Sequence, residues 1–255
     1  MEQLGKKYEF TEETIEVSER TLHRIKAIRD FGYVKAGELG GFIEKEENLS
    51  HEGNCWVYGN AKVYGNANVC CDAKVHDNAR VYGNANVYVN ANVCGDAKVC
   101  GNALVYDNAN VYGNANVCGD AKVCGNAEIS MRSDFIVFKN WWSSGRYFTW
   151  TRSNNMWKVG CFYGTGEELI QKAYKDSEIS GREYERVVRY VESILADEKE
   201  KRMNQLQENS TYYLGDFIIR LTEDGALKVT SDRGVINILP KADNAVEIKS
   251  SKNTK

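Results

Sequence analysis

The chain has 255 residues, which is long enough for one large domain or for two to three small ones with a sizeable core. Its 33 Lys and Arg residues against 36 Asp and Glu residues leave a net charge of −3, so bulk electrostatics do not attract it to nucleic acid or anionic membranes. No apolar run approaches the roughly 20 residues that cross a bilayer, and the N-terminus lacks the apolar centre of a signal peptide, which predicts a cytoplasmic location.

Residues 1–48 are predicted to form an N-terminal β cap. The segments "KYEFTEETIEV" and "TLHRIKAIRDF" are typical of two short strands joined by a polar turn. The glycine-rich "KAGELGGFIE" then predicts a bend that leads into the next segment. A cap is expected here because the repeat that follows would otherwise expose the edge of a sheet.

Residues 49–130 are dominated by a six-residue repeat, which runs from Cys55 through twelve copies without insertion or deletion. Val or Ile falls at every sixth position from 57 to 129, and Ala at every sixth position from 61 to 127. A strict period of this kind predicts a solenoid, in which three hexads close one triangular coil with Val and Ala pointing inward. The Gly-Asn and Gly-Asp pairs are predicted to form the corners, because Gly and Asn tolerate positive φ.

After Ser130 the repeat ends, and residues 131–200 predict an α+β module. The segments "DFIVF", "RYFTWT" and "WKVGCF" are typical of three strands. Two helices follow, with the pairs Thr165–Glu168 and Ser180–Glu183 at the spacing of capping boxes. The remaining segments are predicted to be a linker, a β-meander and a disordered tail, over 201–211, 212–248 and 249–255.

Three sequence features resemble known proteins. The hexad resembles the repeat of left-handed β-helices. The segments "TLHRIKAIRDFGYVKAGELGGFIEKEENLSHEGNCWV" (21–57) and "TRSNNMWKVGCFYGTGEELIQKAY" (151–174) resemble a family of phage- and prophage-borne hexapeptide-repeat proteins, often labelled transferase or polymer-forming. The predicted fold class is therefore mainly β: a left-handed parallel β-helix of about four coils with an N-terminal β cap, a C-terminal α+β module and a β-meander.

Whether the sequence predicts an enzyme depends on the positions of its histidine residues. The resemblance implies that acyltransferases of this repeat class use a histidine as general base in a cleft between subunits, shaped by a loop that interrupts the coils. His23 falls in the cap, His51 at the start of the coils, and His76 in the regular ladder. No loop interrupts the hexads, and no Ser-His-Asp, P-loop or GxGxxG pattern is present. We therefore predict no catalytic residue and no cofactor.

The eight cysteines carry no CxxC pair, and their recurrent spacing is that of the hexad itself. Free thiols and the absence of a metal site are predicted. Cys100 and Cys118 are expected to stack on neighbouring coils, but a cytoplasmic location favours the reduced form.

The residue after each Val is expected to face outward, which defines candidate contact surfaces. One face combines aromatic, thiol and basic side chains, namely Tyr64, Tyr82, Cys100, Cys118, Lys62, Arg80 and Lys98. Exposed aromatic residues mark a contact surface, although Tyr also suits strand stacking. Trp141 or Trp142 in the turn "NWWSSG" is a candidate partner anchor. The few cations on this face argue against nucleic-acid binding.

The unbroken repeat and the exposed faces predict a non-enzymatic interaction protein, and the resemblance implies that it is a phage or prophage accessory protein of the host bacterial cytoplasm. It would act on a host protein, with inhibition of host defence as one role. Self-association through the face of Tyr64 and Tyr82 is expected, as a trimer first and a dimer second. The alternatives are an acyltransferase-like enzyme with a site between subunits, and an oligomer that sequesters a small nucleotide or metabolite.

Overall fold

Short parallel strands stacked in three columns form the centre of the fold. The computed structural model describes residues 5–208 and the segments 211–214, 217–221, 227–231, 234–240 and 246–251. The chain is mainly β, with a parallel β-solenoid of about five turns, two helices and a C-terminal antiparallel sheet, so the predicted fold class is confirmed. It divides into two units, one ending at Tyr184 and one beginning at Glu185. Among the described residues, no helix has the length and apolar character needed to cross a membrane.

The solenoid consists of two-residue strands separated by corners. Three longer strands precede it: β1 (Tyr8–Val17), β2 (Arg20–Ala27) and β3 (Leu39–Ile43). The two-residue strands are β4 (Trp56–Val57), β5 (Lys62–Val63), β6 (Asn68–Val69), β7 (Lys74–Val75), β8 (Arg80–Val81), β9 (Asn86–Val87), β10 (Asn92–Val93), β11 (Lys98–Val99), β12 (Leu104–Val105), β13 (Asn110–Val111), β14 (Asn116–Val117), β15 (Lys122–Val123) and β16 (Glu128–Ile129).

Residues 18 apart pair in parallel, as Val93 does with Val75 below it and Val111 above it. Backbone donors of one coil reach carbonyls of the next; the Lys62 N–H donates to the Ala79 oxygen at 2.9 Å. The inward Val and Ala side chains of the hexads are fully buried or nearly so. These two residue types suit a narrow triangular coil, because the branched Val fills each face and the small Ala leaves room for the bend.

The corners use left-handed backbone, as predicted from the Gly-Asn and Gly-Asp pairs. Corner glycines such as Gly101 have positive φ. Four corners place another residue there, with φ between 59° and 62°: Cys71, Asp77, Val89 and Asp107. Next to the corners, asparagine side chains form ladders; Asn84 Nδ2 donates to Asn102 Oδ1 at 3.1 Å. Amide ladders of this kind tie successive coils together outside the apolar core.

The cap contributes a coil that the hexad pattern did not reveal. Strands β1, β2 and β3 are antiparallel, and β3 continues the sheet of β5 by pairing Ile43 with Val63. An isolated bridge pairs Leu49 with Val69 in the same way. Both partners lie 20 residues apart instead of 18, because two additional residues separate Leu49 from Val57. The predicted four coils are thus preceded by one whose phase is shifted.

At the other end, a small antiparallel sheet covers the last coil. A 3₁₀ turn (Arg132–Asp134) leads into β17 (Phe135–Lys139), β18 (Tyr147–Thr151), β19 (Met156–Val159) and β20 (Phe162–Gly164), four strands where three were predicted. The Lys122 N–H, which has no coil above it, donates to Thr149 Oγ1 at 2.9 Å. The Glu128 N–H likewise donates to Ser153 Oγ at 2.8 Å. Side chains of this module therefore replace the carbonyls of a missing coil.

Two helices follow this sheet. Helix α1 (Gly166–Asp176) begins at Thr165, whose hydroxyl and the Glu168 carboxylate form the predicted capping box. Helix α2 (Glu178–Glu208) begins earlier than predicted, with the Ser180 N–H donating to Ser177 Oγ at 3.1 Å. The segment predicted as a linker over 201–211 is helical as far as Glu208, because no Pro or Gly interrupts the helix-favouring run before it.

In the second unit, an antiparallel sheet occupies the segment predicted as a meander over 212–248. Its strands, in spatial and chain order, are β21 (Thr211–Leu214), β22 (Phe217–Leu221), β23 (Leu227–Ser231), β24 (Gly234–Pro240) and β25 (Val246–Ser251). The predicted disordered tail over 249–255 therefore begins inside β25. Its last part, 252–255, lies outside the described residues.

Candidate functional site

His76 lies on an outer face of the solenoid, directly after β7. The register of β4, β7 and β10 places it between Tyr58 on one neighbouring coil and Cys94 on the other. The imidazole is half-buried, with a side-chain exposure of 34%. A histidine in this setting is held in place by its neighbours and is still open to a ligand.

Both ring nitrogens of His76 face oxygen atoms. Nδ1 lies 3.2 Å from Asp77 Oδ2, and Nε2 lies 2.9 Å from Asn92 Oδ1. The Asp77 carboxylate also accepts the Gly95 N–H at 3.0 Å. The hydrogen bonds from Gly95 and then from His76 hold the pKa of Asp77 below its ordinary value of 3.8, so Asp77 is a carboxylate at neutral pH.

The cap forms a wall beside this histidine. A tight turn, closed by backbone hydrogen bonds between Phe31 and Val34, projects Tyr33 outward with 88% of its surface exposed. Lys74 Nζ lies 5.4 Å from the centre of the Tyr33 ring, within the range of a cation–π contact. An open cleft of about 770 Å³ lies between the turn and the coil face; its lining includes Tyr33, Tyr58, Lys74, His76, Asp77 and Asn78.

A basic groove adjoins the cleft, and Asn78 lines both. This groove has a volume of about 470 Å³ and is lined by Lys62, Arg80, Lys98 and Arg132, with Asp96 as its acidic residue. Three of the four cations are residues of the predicted basic stripe. The fourth comes from the turn after the last coil, which sequence spacing does not relate to the others. Four cations against one carboxylate make this groove suitable for an anionic group.

Two residues of the cleft and one from the next coil form a group of donor atoms that could hold a metal ion. Single ligand atoms of His76, Asp77 and Cys94 all lie within 4.8 Å of one another. Nitrogen, oxygen and sulfur donors at this spacing match the ligand preferences of zinc and similar metals. The prediction of no metal site rests on the missing CxxC pair, whereas the members of this set come from successive coils.

The predicted contact face is partly covered by the cap. Tyr64 is only 8% exposed, because it packs against the buried side chains of Leu22 and Phe42. Its ring stacks on Tyr82 at a centroid distance of 5.2 Å. The prediction that Tyr64 faces solvent is therefore wrong, and strand stacking, the alternative interpretation of these tyrosines, describes the pair. Of the covering residues, Leu22 comes from β2 and Phe42 from β3.

Cys100 and Cys118 form a disulfide, with an S–S distance of 2.08 Å. The prediction of free thiols is thus wrong for these two, because parallel stacking brings their Cα atoms to 4.6 Å. The other six cysteines are free.

The two candidate anchors in the turn after β17 differ in exposure. Trp141 is 82% exposed, as an anchor for a partner requires. Trp142 is half-buried and packs edge-on against Tyr184, with centroids 6.2 Å apart. Exposure alone does not test whether Trp141 binds a partner, so its role as an anchor stays a prediction.

The prediction of no catalytic residue leaves out His76, and Tyr33, Asp77 and Asn92 are not among the predicted site residues. The argument against His76 was the lack of a loop within the hexads, whereas the wall of this cleft comes from the cap. One signal was present: Asp77 follows His76 directly and stands at a corner where most hexads have Gly. The repeat also predicts the position of Asn92, because it follows Lys74, its partner across the strands, by 18 residues.

The comparisons with known proteins bear on the enzyme question. No family model matches the chain. Among curated proteins, the chain is similar to the uncharacterized acetyltransferase YdcK of Escherichia coli (strain K12), with 54% identity over 37 residues. The match covers 14% of this chain and 11% of that relative, so the chain spans a small part of the relative's length.

This similarity contradicts the prediction of a non-enzymatic protein. The relative has the name of the enzyme class that the sequence analysis kept as an alternative. The phage association and the host-protein partner find no support in it. Together, the hexads, the stacked parallel coils and this similarity fit a hexapeptide-repeat β-helix family.

Proposed function

We propose that the protein is a hexapeptide-repeat acyltransferase whose reaction takes place at His76. The observation that carries the proposal is the half-buried imidazole, held by Asp77 at the floor of an open cleft. The named activity of the curated relative adds support. A general base needs a partner that fixes the ring, which Asp77 provides, and a lone pair directed at the substrate, which Nε2 offers once it no longer donates to Asn92 Oδ1.

Asp77 has the positioning role. Its carboxylate accepts the Nδ1–H of His76, which leaves Nε2 as the basic nitrogen. Asn92 Oδ1 lies 2.9 Å from Nε2 and is an acceptor, so it bonds Nε2 only when that nitrogen carries a hydrogen. For Nε2 to act as the base, the Asn92 amide must turn away. Binding of the acceptor substrate would displace this amide and bring its O–H or N–H to Nε2.

In the reaction, His76 accepts the proton of the acceptor group as that group attacks the carbonyl carbon of a thioester. The new C–O or C–N bond forms and the C–S bond breaks. The imidazolium then returns the proton to the departing thiolate, so the histidine is restored. No further co-reactant is needed.

The basic groove supplies a place for the acyl donor. Acyl-CoA has three phosphate groups, and Lys62, Arg80, Lys98 and Arg132 line the groove that adjoins the cleft. Clustered cations bind phosphates through charge-assisted hydrogen bonds. We infer that the phosphates lie in the groove while the thioester reaches His76. A second copy of the chain would close the open side of the cleft, as the resemblance implies.

The phage association, the host-protein partner and the location in the host cytoplasm stay predictions that rest on the resemblance. An acyltransferase of this kind could modify a host molecule, which would join the two proposals. For this reason, a lysate of bacterial proteins is one of the acceptors to be tested.

The test is turnover of acetyl-CoA, measured as free CoA thiol released in the presence of amine, hydroxyl and protein acceptors. His76→Gln should lower turnover by about 10²- to 10⁴-fold, the usual contribution of a general base. His23→Gln, a change of the same kind in the cap, should leave turnover unchanged. Turnover by the wild-type protein and by His76→Gln is also measured with a chelator. This comparison distinguishes base catalysis from catalysis by a metal ion bound at the same residues.

Two results would count against the proposal. Equal turnover by the wild-type protein and His76→Gln would remove the histidine from the reaction. Tight binding of acetyl-CoA without turnover by any acceptor would support the sequestering alternative instead.

A further inference from the structure

A lysine without exposed surface lies beneath the cap. Lys7 directly precedes β1, and its side chain passes into the interior of the first coil. Its ammonium nitrogen Nζ lies 2.8 Å from the Cys55 carbonyl oxygen and 3.2 Å from Cys55 Sγ. The carbonyl oxygens of Glu52 and Gly53 follow at 3.4 Å and 3.5 Å, and the centroid of the Phe31 ring lies 5.0 Å from Nζ.

Backbone carbonyl oxygens are the polar partners that hold Lys7 Nζ, together with Cys55 Sγ. Among the residues that the structure describes, no carboxylate lies within ion-pair distance of its Nζ, although buried cations normally have one. Burial lowers the pKa of Lys7, and burial likewise raises the pKa of the Cys55 thiol. Both shifts favour the uncharged forms of the amine and the thiol, and these two nucleophiles are in contact away from water.

Cys55 is as enclosed as its partner. Its side chain has no exposed surface, and its backbone N–H donates to the Cys71 carbonyl at 2.8 Å. Cys55 is one of six free cysteines, so no disulfide engages its thiol. The contact places a nitrogen and a sulfur nucleophile 3.2 Å apart in an enclosed site.

We propose that Lys7 and Cys55 form a covalent nitrogen–oxygen–sulfur bridge when the protein is exposed to dioxygen. One N–H bond, the S–H bond and the O–O bond break, while one N–O and one O–S bond form. The second oxygen atom leaves as water with the two hydrogens. Nitrogen and sulfur each lose two electrons, and dioxygen accepts all four. Dioxygen is small and apolar, so it can reach a site that excludes larger oxidants.

The bridge would fasten the start of the chain to the first coil. Lys7 also holds the turn that bears Tyr33, since its carbonyl accepts the Ile28 N–H at 3.0 Å just before that turn. Oxidation would therefore attach the N-terminal cap covalently to the solenoid. This modification site is independent of the proposed acyl transfer, and neither result decides the other.

The experiment is peptide mapping of the protein after incubation in air and after incubation without oxygen. A background with Cys100→Ser and Cys118→Ser removes the disulfide, so that reductants act on the bridge alone. In air, we expect one tryptic species that joins the peptides of Lys7 and Cys55, heavier than their sum by one oxygen less two hydrogens. Trypsin should not cut after the bridged lysine. A thiol reductant should restore both peptides.

Lys7→Arg should give no joined species, and Cys71→Ser, a change at an exposed cysteine beside Cys55, should leave it unchanged. The wild-type sequence in the same background suffices for the decision if Lys7→Arg fails to fold. Only separate peptides from the protein kept in air would overturn the proposal. So would the same joined mass in Lys7→Arg, because another residue would then be the partner of Cys55.

Discussion

At the scale of single residues, the solenoid shows how a corner selects its amino acid. Corner glycines adopt positive φ without steric penalty, and a side chain there would meet the corner of the next coil. Val89 is the exception with a β-branched side chain, at φ 60°. A residue of this type in the left-handed region is strained by roughly 1–3 kcal/mol. The repeat tolerates this strain because the coils on both sides hold the corner.

Replacing Val89 by Gly is expected to raise the free energy of unfolding by about 1 kcal/mol, since relief of strain exceeds the greater chain entropy of Gly. Chemical denaturation measures the change. Gly101→Val is the opposite control: its Cβ would lie 2.8 Å from the Gly119 nitrogen, so this variant should be less stable than the wild type. A Val89→Gly protein of lower stability than the wild type would contradict the account.

At the scale of elements, the C-terminal end of the solenoid depends on the carboxylate of Asp134. Asp134 accepts the Ser130 N–H at 2.7 Å and the Met131 N–H at 2.9 Å, in the turn that connects the last coil to β17. Burial alone would raise the pKa of Asp134, but these hydrogen bonds lower it below 3.8. The carboxylate therefore stabilises the folded state above its unfolded pKa, and the stabilisation is lost as pH falls through the folded value.

Asp134→Asn should lower the free energy of unfolding by about 1–2 kcal/mol at neutral pH and by less in acid. Denaturation curves at neutral pH and near pH 3 measure both effects. Asp96→Asn is the matched control, because Asp96 accepts an Asn78 amide that an asparagine can also bind. The same loss at both pH values would show that the Asp134 charge has no role.

The elements also show what the sequence can and cannot predict. Val at every sixth position predicted the buried columns because each hexad repeats the same local choice of side chain and corner. The coil containing Ile43 and Leu49 escaped detection because its phase differs by two residues. The wall formed by Tyr33 could not be predicted, since its position beside His76 arises from the docking of a cap on a distant coil.

At the scale of the whole molecule, the cleft is open on one side, which leads to a prediction about assembly. We expect a homo-oligomer, a trimer first and a dimer second, in which a second copy covers the cleft. Tyr33 is a suitable anchor because it is large, aromatic and 88% exposed. Tyr64 is not, because the cap of the same chain covers it.

Light scattering on the purified protein measures the oligomeric state. Tyr33→Glu should shift the protein towards the monomer, whereas Trp141→Glu, which alters another exposed aromatic residue, should not. A wild-type monomer at micromolar concentration would contradict the prediction. An oligomer that tolerates Tyr33→Glu would keep the assembly and exclude this face.

The central claim is that His76 acts as a base oriented by Asp77, and the repeat supplies an internal control for it. Asp77 and Asp107 stand at equivalent corners with φ near 60°, and each accepts a glycine N–H from the next coil, at 3.0 Å and 3.1 Å. Asp77 follows a histidine, whereas Asp107 follows Tyr106.

The decisive measurement compares kcat for acetyl-CoA turnover in Asp77→Asn and Asp107→Asn. The account predicts that Asp77→Asn lowers kcat by about 10²-fold or more with little change in KM, while Asp107→Asn retains wild-type kcat. Both variants should lose similar, small amounts of stability. Equal kcat values for the two variants would contradict the claim, because the carboxylate beside His76 would then serve only the corner.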